Sequence, residues 1–117
     1  MKKKLDCYLR PYRRRWGLTQ KELAYLFGSK SSTVSRVEHQ KRQPSLTVAF
    51  ACLIIFGTSP IELFPGLFAE IEEDVMTRAY DLYERLQGNS SKAARIKLDF
   101  LEEAFTRAKA RGHNSNV

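Results

Sequence analysis

Cysteine is scarce in this sequence, and the two present, Cys7 and Cys52, lie far apart. They match no metal-ligand spacing and are too few to staple a small secreted fold, so they read as free thiols in a reducing compartment. Histidine is equally scarce, with His39 and His113 the only two. No His-Glu-x-x-His set, paired-cysteine set or glycine-rich phosphate loop is present, and the usual metal and nucleotide chemistries therefore lack their residues. Four prolines and six glycines are too few for a collagen-like or disordered chain. The longest apolar run, Leu46–Phe56, is about half the ~20 residues needed to cross a bilayer. Met1-Lys2-Lys3-Lys4 could open a signal peptide, but Asp6, Arg10 and Arg13-Arg14-Arg15 interrupt any apolar stretch behind it. No strand-like alternation of convincing length occurs. These absences predict an all-α, cytoplasmic chain that is not an enzyme, with no catalytic residue, cofactor, metal or membrane span.

What the sequence does have is charge, unevenly placed. Its 117 residues carry 20 Lys+Arg against 13 Asp+Glu, a net +7, in a length that suits one compact domain with an appendage. Residues 1–44 hold 12 Lys/Arg and 3 Asp/Glu, residues 45–89 hold 2 and 7, and residues 90–117 hold 6 and 3. A basic first third beside an acidic middle suits a polyanion-binding face on a more acidic body. Charge alone fits an anionic membrane surface or a solvated lysine-rich terminus as well, so the motifs must decide.

Leu5, Leu9, Tyr12 and Trp16 recur at helical spacing. Pro11 means that this helix either starts just before it or kinks there, and Gly17 ends it. Thr19-Gln20-Lys21-Glu22 forms a capping box, followed by Leu23, Leu26 and Phe27 as an apolar face and by Gly28 as a stop. Small hydroxyl residues at 29–32 mark the next start, where Val34 and Val37 give a narrow inward stripe and a polar outer face. After a polar loop at 40–45, Ser45 caps a helix to about Phe56 that is apolar nearly all round and is expected to be buried. Gly57 stops it, and Ser59-Pro60 opens a short helix through Ile61 and Leu63. Pro65-Gly66 punctuates the chain again. Leu67, Ile71, Val75, Ala79, Leu82 and Leu86 then recur by threes and fours. A turn at 88–91 offers Ser90 or Ser91 as a cap, and Ala94, Leu98, Leu101, Phe105 and Ala108 follow in heptad-like steps. The expected division is a helical domain at 1–65, a helical hairpin at 66–112 and a frayed tail at 113–117. Glu72, Glu73 and Asp74 are adjacent on a helix and read as a solvated face, not an acid/base pair or a metal site.

Two short helices joined by a tight turn, the second with a polar outer face, can place one helix in a DNA major groove. The stretch Gly17-Leu18-Thr19-Gln20-Lys21-Glu22-Leu23-Ala24, then Gly28 and Ser32-Thr33-Val34-Ser35-Arg36-Val37-Glu38, resembles the phage repressor/Cro-like helix-turn-helix family, also called the xenobiotic-response-element type. Lys41-Arg42-Gln43-Pro44-Ser45 and Gly57-Thr58-Ser59-Pro60-Ile61-Glu62-Leu63-Phe64 extend the resemblance to roughly residues 5–64. It implies a five-helix repressor-like DNA-binding domain that reads double-stranded DNA with its second and third helices.

By position, Gln20 looks like the family's glutamine at the start of the second helix, which holds a phosphate or braces a base reader. Ser31, Ser32 and Arg36 occupy the recognition-helix positions that face base edges, with Thr33 and Ser35 beside them. Arg36 is the best single base reader, because a guanidinium can grip guanine O6 and N7 together; a phosphate contact or a solvated charge is its alternative. For the serines the alternative is capping and turn chemistry. Lys30, His39, Lys41 and Arg42 suit phosphate contacts. Arg13 and Glu38 look like the family's helix-one arginine paired with a recognition-helix glutamate, against two independent surface charges. The sequence departs from the family where Ser29 replaces an apolar residue, Lys30 a Ser/Thr-type cap and Gln40 a glycine, and in having Pro11 in helix one. The hairpin lies outside the resemblance. A homodimer through it would let a repressor reach two half-sites of a pseudo-palindromic operator, about one helical turn (~34 Å) apart. The alternatives are a hairpin that packs back on the domain, or an antitoxin-like or other regulator whose hairpin binds a different protein.

Overall fold

A computed structural model describes residues 4–113, and every regular element among them is a helix. In chain order these are α1 (Leu9–Arg15), α2 (Gln20–Phe27), α3 (Ser31–Glu38), α4 (Leu46–Phe56), α5 (Pro60–Leu63), α6 (Pro65–Leu86) and α7 (Lys92–Ala110). They form two compact units that divide between Ala69 and Glu70, inside α6. That division falls a few residues beyond the Pro65-Gly66 punctuation.

The first unit closes around Leu9, Leu23, Ala24, Phe27, Val34, Val37, Val48, Cys52, Leu63 and Phe64. Pro11 is tolerated because α1 begins at Leu9, so the ring falls in the first turn, where no intrahelical N–H bond is lost. The Tyr8 N–H just ahead of α1 donates to the Leu63 carbonyl at 2.8 Å. Leu5 and Trp16, expected on the face of this helix, lie outside it and are exposed. The buried residues of α1 are Leu9 and Arg13, with Tyr12 packed against Phe56 at a ring separation of 5.7 Å.

Ser45 caps α4 by accepting from the Val48 N–H at 3.2 Å. The expectation that α4 is buried all round is overturned. Val48, Ala49 and Cys52 face the core, whereas Leu46, Phe50, Leu53 and Ile54 are exposed. An all-apolar sequence gives no polar side by which to locate the exterior. Cys52 is fully buried, and loss of solvation pushes its thiol up to about 12. Burial also raises the Cys7 thiol, whose Sγ lies 3.7 Å from the Val37 carbonyl.

Pro65 opens α6 instead of breaking the chain, since a first-turn N–H has no helical partner to lose. Gly66 donates its N–H to the Asp6 carbonyl at 3.1 Å. A Cβ at this position would lie 2.5 Å from the Asp6 Cβ. Gly66→Ala is therefore expected to cost about 1–3 kcal/mol through overpacking, read as a thermal midpoint several degrees lower by circular dichroism. An unchanged midpoint would mean that the Asp6 segment yields freely.

In the second unit, α6 meets α7 through Tyr80 and Tyr83 against Phe105, and Met76, Ala94, Leu101 and Ala108 are buried. Tyr80 stacks on Phe105 at 4.3 Å, and Tyr83 meets the same ring edge-on at 5.5 Å. Tyr83 donates its hydroxyl to Glu102 Oε1 at 2.7 Å, a bond that raises the phenol's pKa. Ser91 caps α7 by accepting from the Ala94 N–H at 3.1 Å. Of the aliphatic stripe on α6, Ile71, Val75 and Leu82 are exposed, and Leu67 packs on the core of the first unit.

Glu72 and Glu73 are not a simple solvated face. Arg111 Nε donates to Glu72 Oε2 at 2.8 Å, and His113 Nε2 lies 3.1 Å from Glu73 Oε2. His113, assigned to a frayed tail, also donates its backbone N–H to the Ala108 carbonyl at 2.9 Å. The rest of that tail, 114–117, lies outside the described residues.

Candidate nucleic-acid interface

The helix pair that carries the site is shaped by its ends. Thr19 Oγ1 accepts from the Glu22 N–H at 3.0 Å, and Glu22 Oε1 accepts from the Thr19 N–H at 2.9 Å. The Thr19 N–H bond to the carboxylate favours its charged form and, with a smaller contribution from the Thr19 hydroxyl, holds the Glu22 pKa below its ordinary value. Leu23, Ala24 and Phe27 point inward from α2. Leu26, expected among them, is about half exposed, and Ala24 takes its place in the core.

Gly28 ends α2 in the left-handed region at φ +69°, a conformation that costs glycine no Cβ clash. Its N–H donates to the Tyr25 carbonyl at 3.1 Å, and the Ser29 N–H donates to the Ala24 carbonyl at 2.9 Å. This closed turn aims α3 away from α2. Lys30 sits at the N-cap of α3 in extended geometry, with no side-chain cap bond. The Lys30 carbonyl accepts from the Thr33 N–H at 2.9 Å, so the first turn forms without a Ser/Thr-type cap. Val34 and Val37 anchor α3 in the core.

Glu38, on the last turn of α3, is held from two other helices. Arg13 donates Nε to Glu38 Oε2 at 2.6 Å and Nη2 to Oε1 at 3.2 Å. Gln20 Nε2 donates to the same Oε1 at 3.0 Å. The Glu38 side chain is 0% exposed and that of Arg13 10%, so the pair is shielded from the solvent that makes surface ion pairs weak. Arg13 Nη1 also donates to the Leu18 carbonyl at 2.8 Å. One guanidinium thus joins α1, the loop before α2, and α3. The Leu18 acceptor is a residue that sequence reading misses, because a backbone carbonyl leaves no mark in a side-chain pattern.

The outward side of α3 presents Ser31, Ser32 and Arg36 to solvent, with Thr33 and Ser35 half-buried beside them. Lys30 precedes this face, and His39, Lys41 and Arg42 follow it; all four are exposed. His39 Nδ1 lies 2.7 Å from the Ser35 carbonyl. A carbonyl can only accept, which places the proton on Nδ1 and fixes the ring. Gln20 is half-buried, with its amide turned to Glu38.

Gln40, where the family usually has glycine, is the one non-glycine among the described residues at positive φ, +58°. A side chain there costs roughly 1 kcal/mol. Gln40→Gly is expected to return much of that cost as a thermal midpoint a few degrees higher. A lower midpoint would show that the Gln40 side chain makes compensating contacts. Among the described residues no cluster of three potential metal-ligating side chains occurs, and no helix is long and apolar enough to cross a membrane.

Residues 9–63 match the family model for helix-turn-helix domains of the Cro/C1 type. The match runs from the start of α1 to the end of α5. No curated protein matches the chain, and no solved structure does.

Proposed function

Residues 9–63 are a helix-turn-helix domain of the Cro/C1 type, and from that premise we propose that this DNA-binding transcription regulator is a cytoplasmic repressor that holds a pseudo-palindromic operator as a homodimer. The observation that carries the reading is the division of α3 into two faces. Val34, Val37 and Glu38 are buried, while Ser31, Ser32 and Arg36 stand in solvent on a helix braced through Arg13 and Gln20. In this reading Arg36, Ser31 and Ser32 read base edges, with Thr33 and Ser35 at the margin of the contact. Lys30, His39, Lys41 and Arg42 hold phosphates and set register without reading sequence. Gln20 joins the brace through its side chain and meets a phosphate at the start of α2, where helix N–H groups point at anions. The hairpin supplies the pairing surface through the exposed Ile71, Val75 and Leu82 of α6 and Ile96 and Phe100 of α7.

Selection from random duplexes is expected to return an inverted repeat with half-sites about one helical turn apart. On that sequence Arg36→Ala should lose about 1–3 kcal/mol and relax preference at a single base pair in each half-site. Equal weakening on every sequence would make Arg36 a phosphate contact. Absence of any preference over random duplex would overturn sequence-specific reading.

A further inference from the structure

The outer face of α4 is the largest uncommitted feature of the first unit. Leu46, Phe50, Leu53 and Ile54 follow the i, i+4, i+7, i+8 spacing of one helical stripe, opposite the buried Val48, Ala49 and Cys52. They are 68%, 55%, 48% and 81% exposed. Side chains of this size leave on the order of 500 Å² of contiguous apolar surface, at the upper end of what a monomeric protein shows. The positions need no apolar residue for folding, because the core is made by the other side of the same helix.

We propose that this stripe is a self-association face, through which the α4 helices of two copies pack on each other about a twofold axis. Three observations favour a second copy as the occupant. Two such faces together bury about 1,000 Å², the level a specific protein contact has to clear. Between Leu46 and Ile61 no residue is charged, whereas residues 1–44 hold 12 Lys/Arg against 3 Asp/Glu. Two strongly basic units repel each other over most of their surfaces, and the α4 stripe is the uncharged ground on which they can meet, as the core of an interface requires. Finally, none of its residues belongs to α3 or its flanking loops, so the contact leaves Arg36 and its neighbours uncovered.

The contact is independent of the hairpin pairing proposed above. A chain with two separate twofold faces assembles beyond a dimer.

The test is the mass of the full chain by sedimentation equilibrium across a dilution series, with Ile54→Lys and Val75→Lys as separate variants. Both positions are exposed, and circular dichroism checks the fold of each variant. The proposal expects Ile54→Lys to weaken association at least tenfold, from tetramer to dimer if the hairpin also pairs, or from dimer to monomer if it does not. Phe50→Cys is expected to form a disulfide-linked dimer on mild oxidation, which the unmodified chain does not. An unchanged mass for Ile54→Lys overturns the proposal. If Val75→Lys alone reduces the mass, the hairpin reading stands without it. A Phe50→Cys chain that stays uncrosslinked on its own, and forms a link between the two introduced thiols only when Val75→Cys is added, overturns it in favour of the hairpin as occupant. A monomer at every concentration overturns both.

Discussion

Glu38→Ala is expected to lower the stability of the chain by about 3–5 kcal/mol, the cost of stranding a buried charge. The substitution removes both acceptors of the Arg13 fork and the partner of the Gln20 amide, and leaves the guanidinium with the Leu18 carbonyl. Urea unfolding followed by helical circular dichroism measures it. Arg13→Met should cost a similar amount, because the Glu38 carboxylate then stays buried with only an amide donor. The double variant Arg13→Met/Glu38→Leu should recover much of the loss, since two apolar side chains leave no buried charge unpaired. A single-variant cost under about 1 kcal/mol would place the pair with exposed ion pairs, against its burial. DNA binding should weaken in Glu38→Ala even where the chain is folded, because the last turn of α3 loses its tie to α1 and α2.

The second large effect is on the strength of DNA binding as salt rises. Lys30, Lys41 and Arg42 give three cationic phosphate contacts per copy in the proposed complex, six in a homodimer. Each releases about 0.9 counterion, so the log–log slope should lie near −5, and affinity should fall roughly a thousandfold between 50 and 200 mM salt. Lys41→Ala/Arg42→Ala should flatten the slope by 3 to 4 while leaving the preferred sequence unchanged. Titration of a labelled operator across a salt series measures both. A slope near zero would remove the phosphate contacts, and one about half as steep would mean a single copy on each site.

Local chemistry was the most legible part of the fold. The capping box at Thr19 and Glu22, the glycine stops at 28 and 57 and the serine cap at 45 are set by a few adjacent residues, and each appears with the expected hydrogen bonds or positive φ. The pairing of Arg13 with Glu38 spans 25 positions, and no periodicity points to it. Only the family resemblance brought the two together.

What failed was the choice of inward face. On α4 both sides are apolar, and the outer side has no partner within the described residues. On α6 the aliphatic residues Ile71, Val75 and Leu82 look more core-like than Tyr80 and Tyr83. Yet the tyrosines pack their rings on Phe105, and Tyr83 keeps its hydroxyl on the exposed Glu102, which aliphatic periodicity cannot anticipate. The exposure of Ser31, Ser32 and Arg36 was legible because Val34 and Val37 define the opposite side of α3.

The position of Trp16 bears on how unfolding can be watched. It is the single tryptophan, and it follows α1 with 68% of its surface in solvent. Its indole already emits from water in the native chain, so emission will change little when the core opens. Optical melts of this protein therefore have to be followed through its backbone or its tyrosines. The same indole, beside the exposed Arg14 and Arg15, instead offers a local reporter of anions that gather around the end of the first helix.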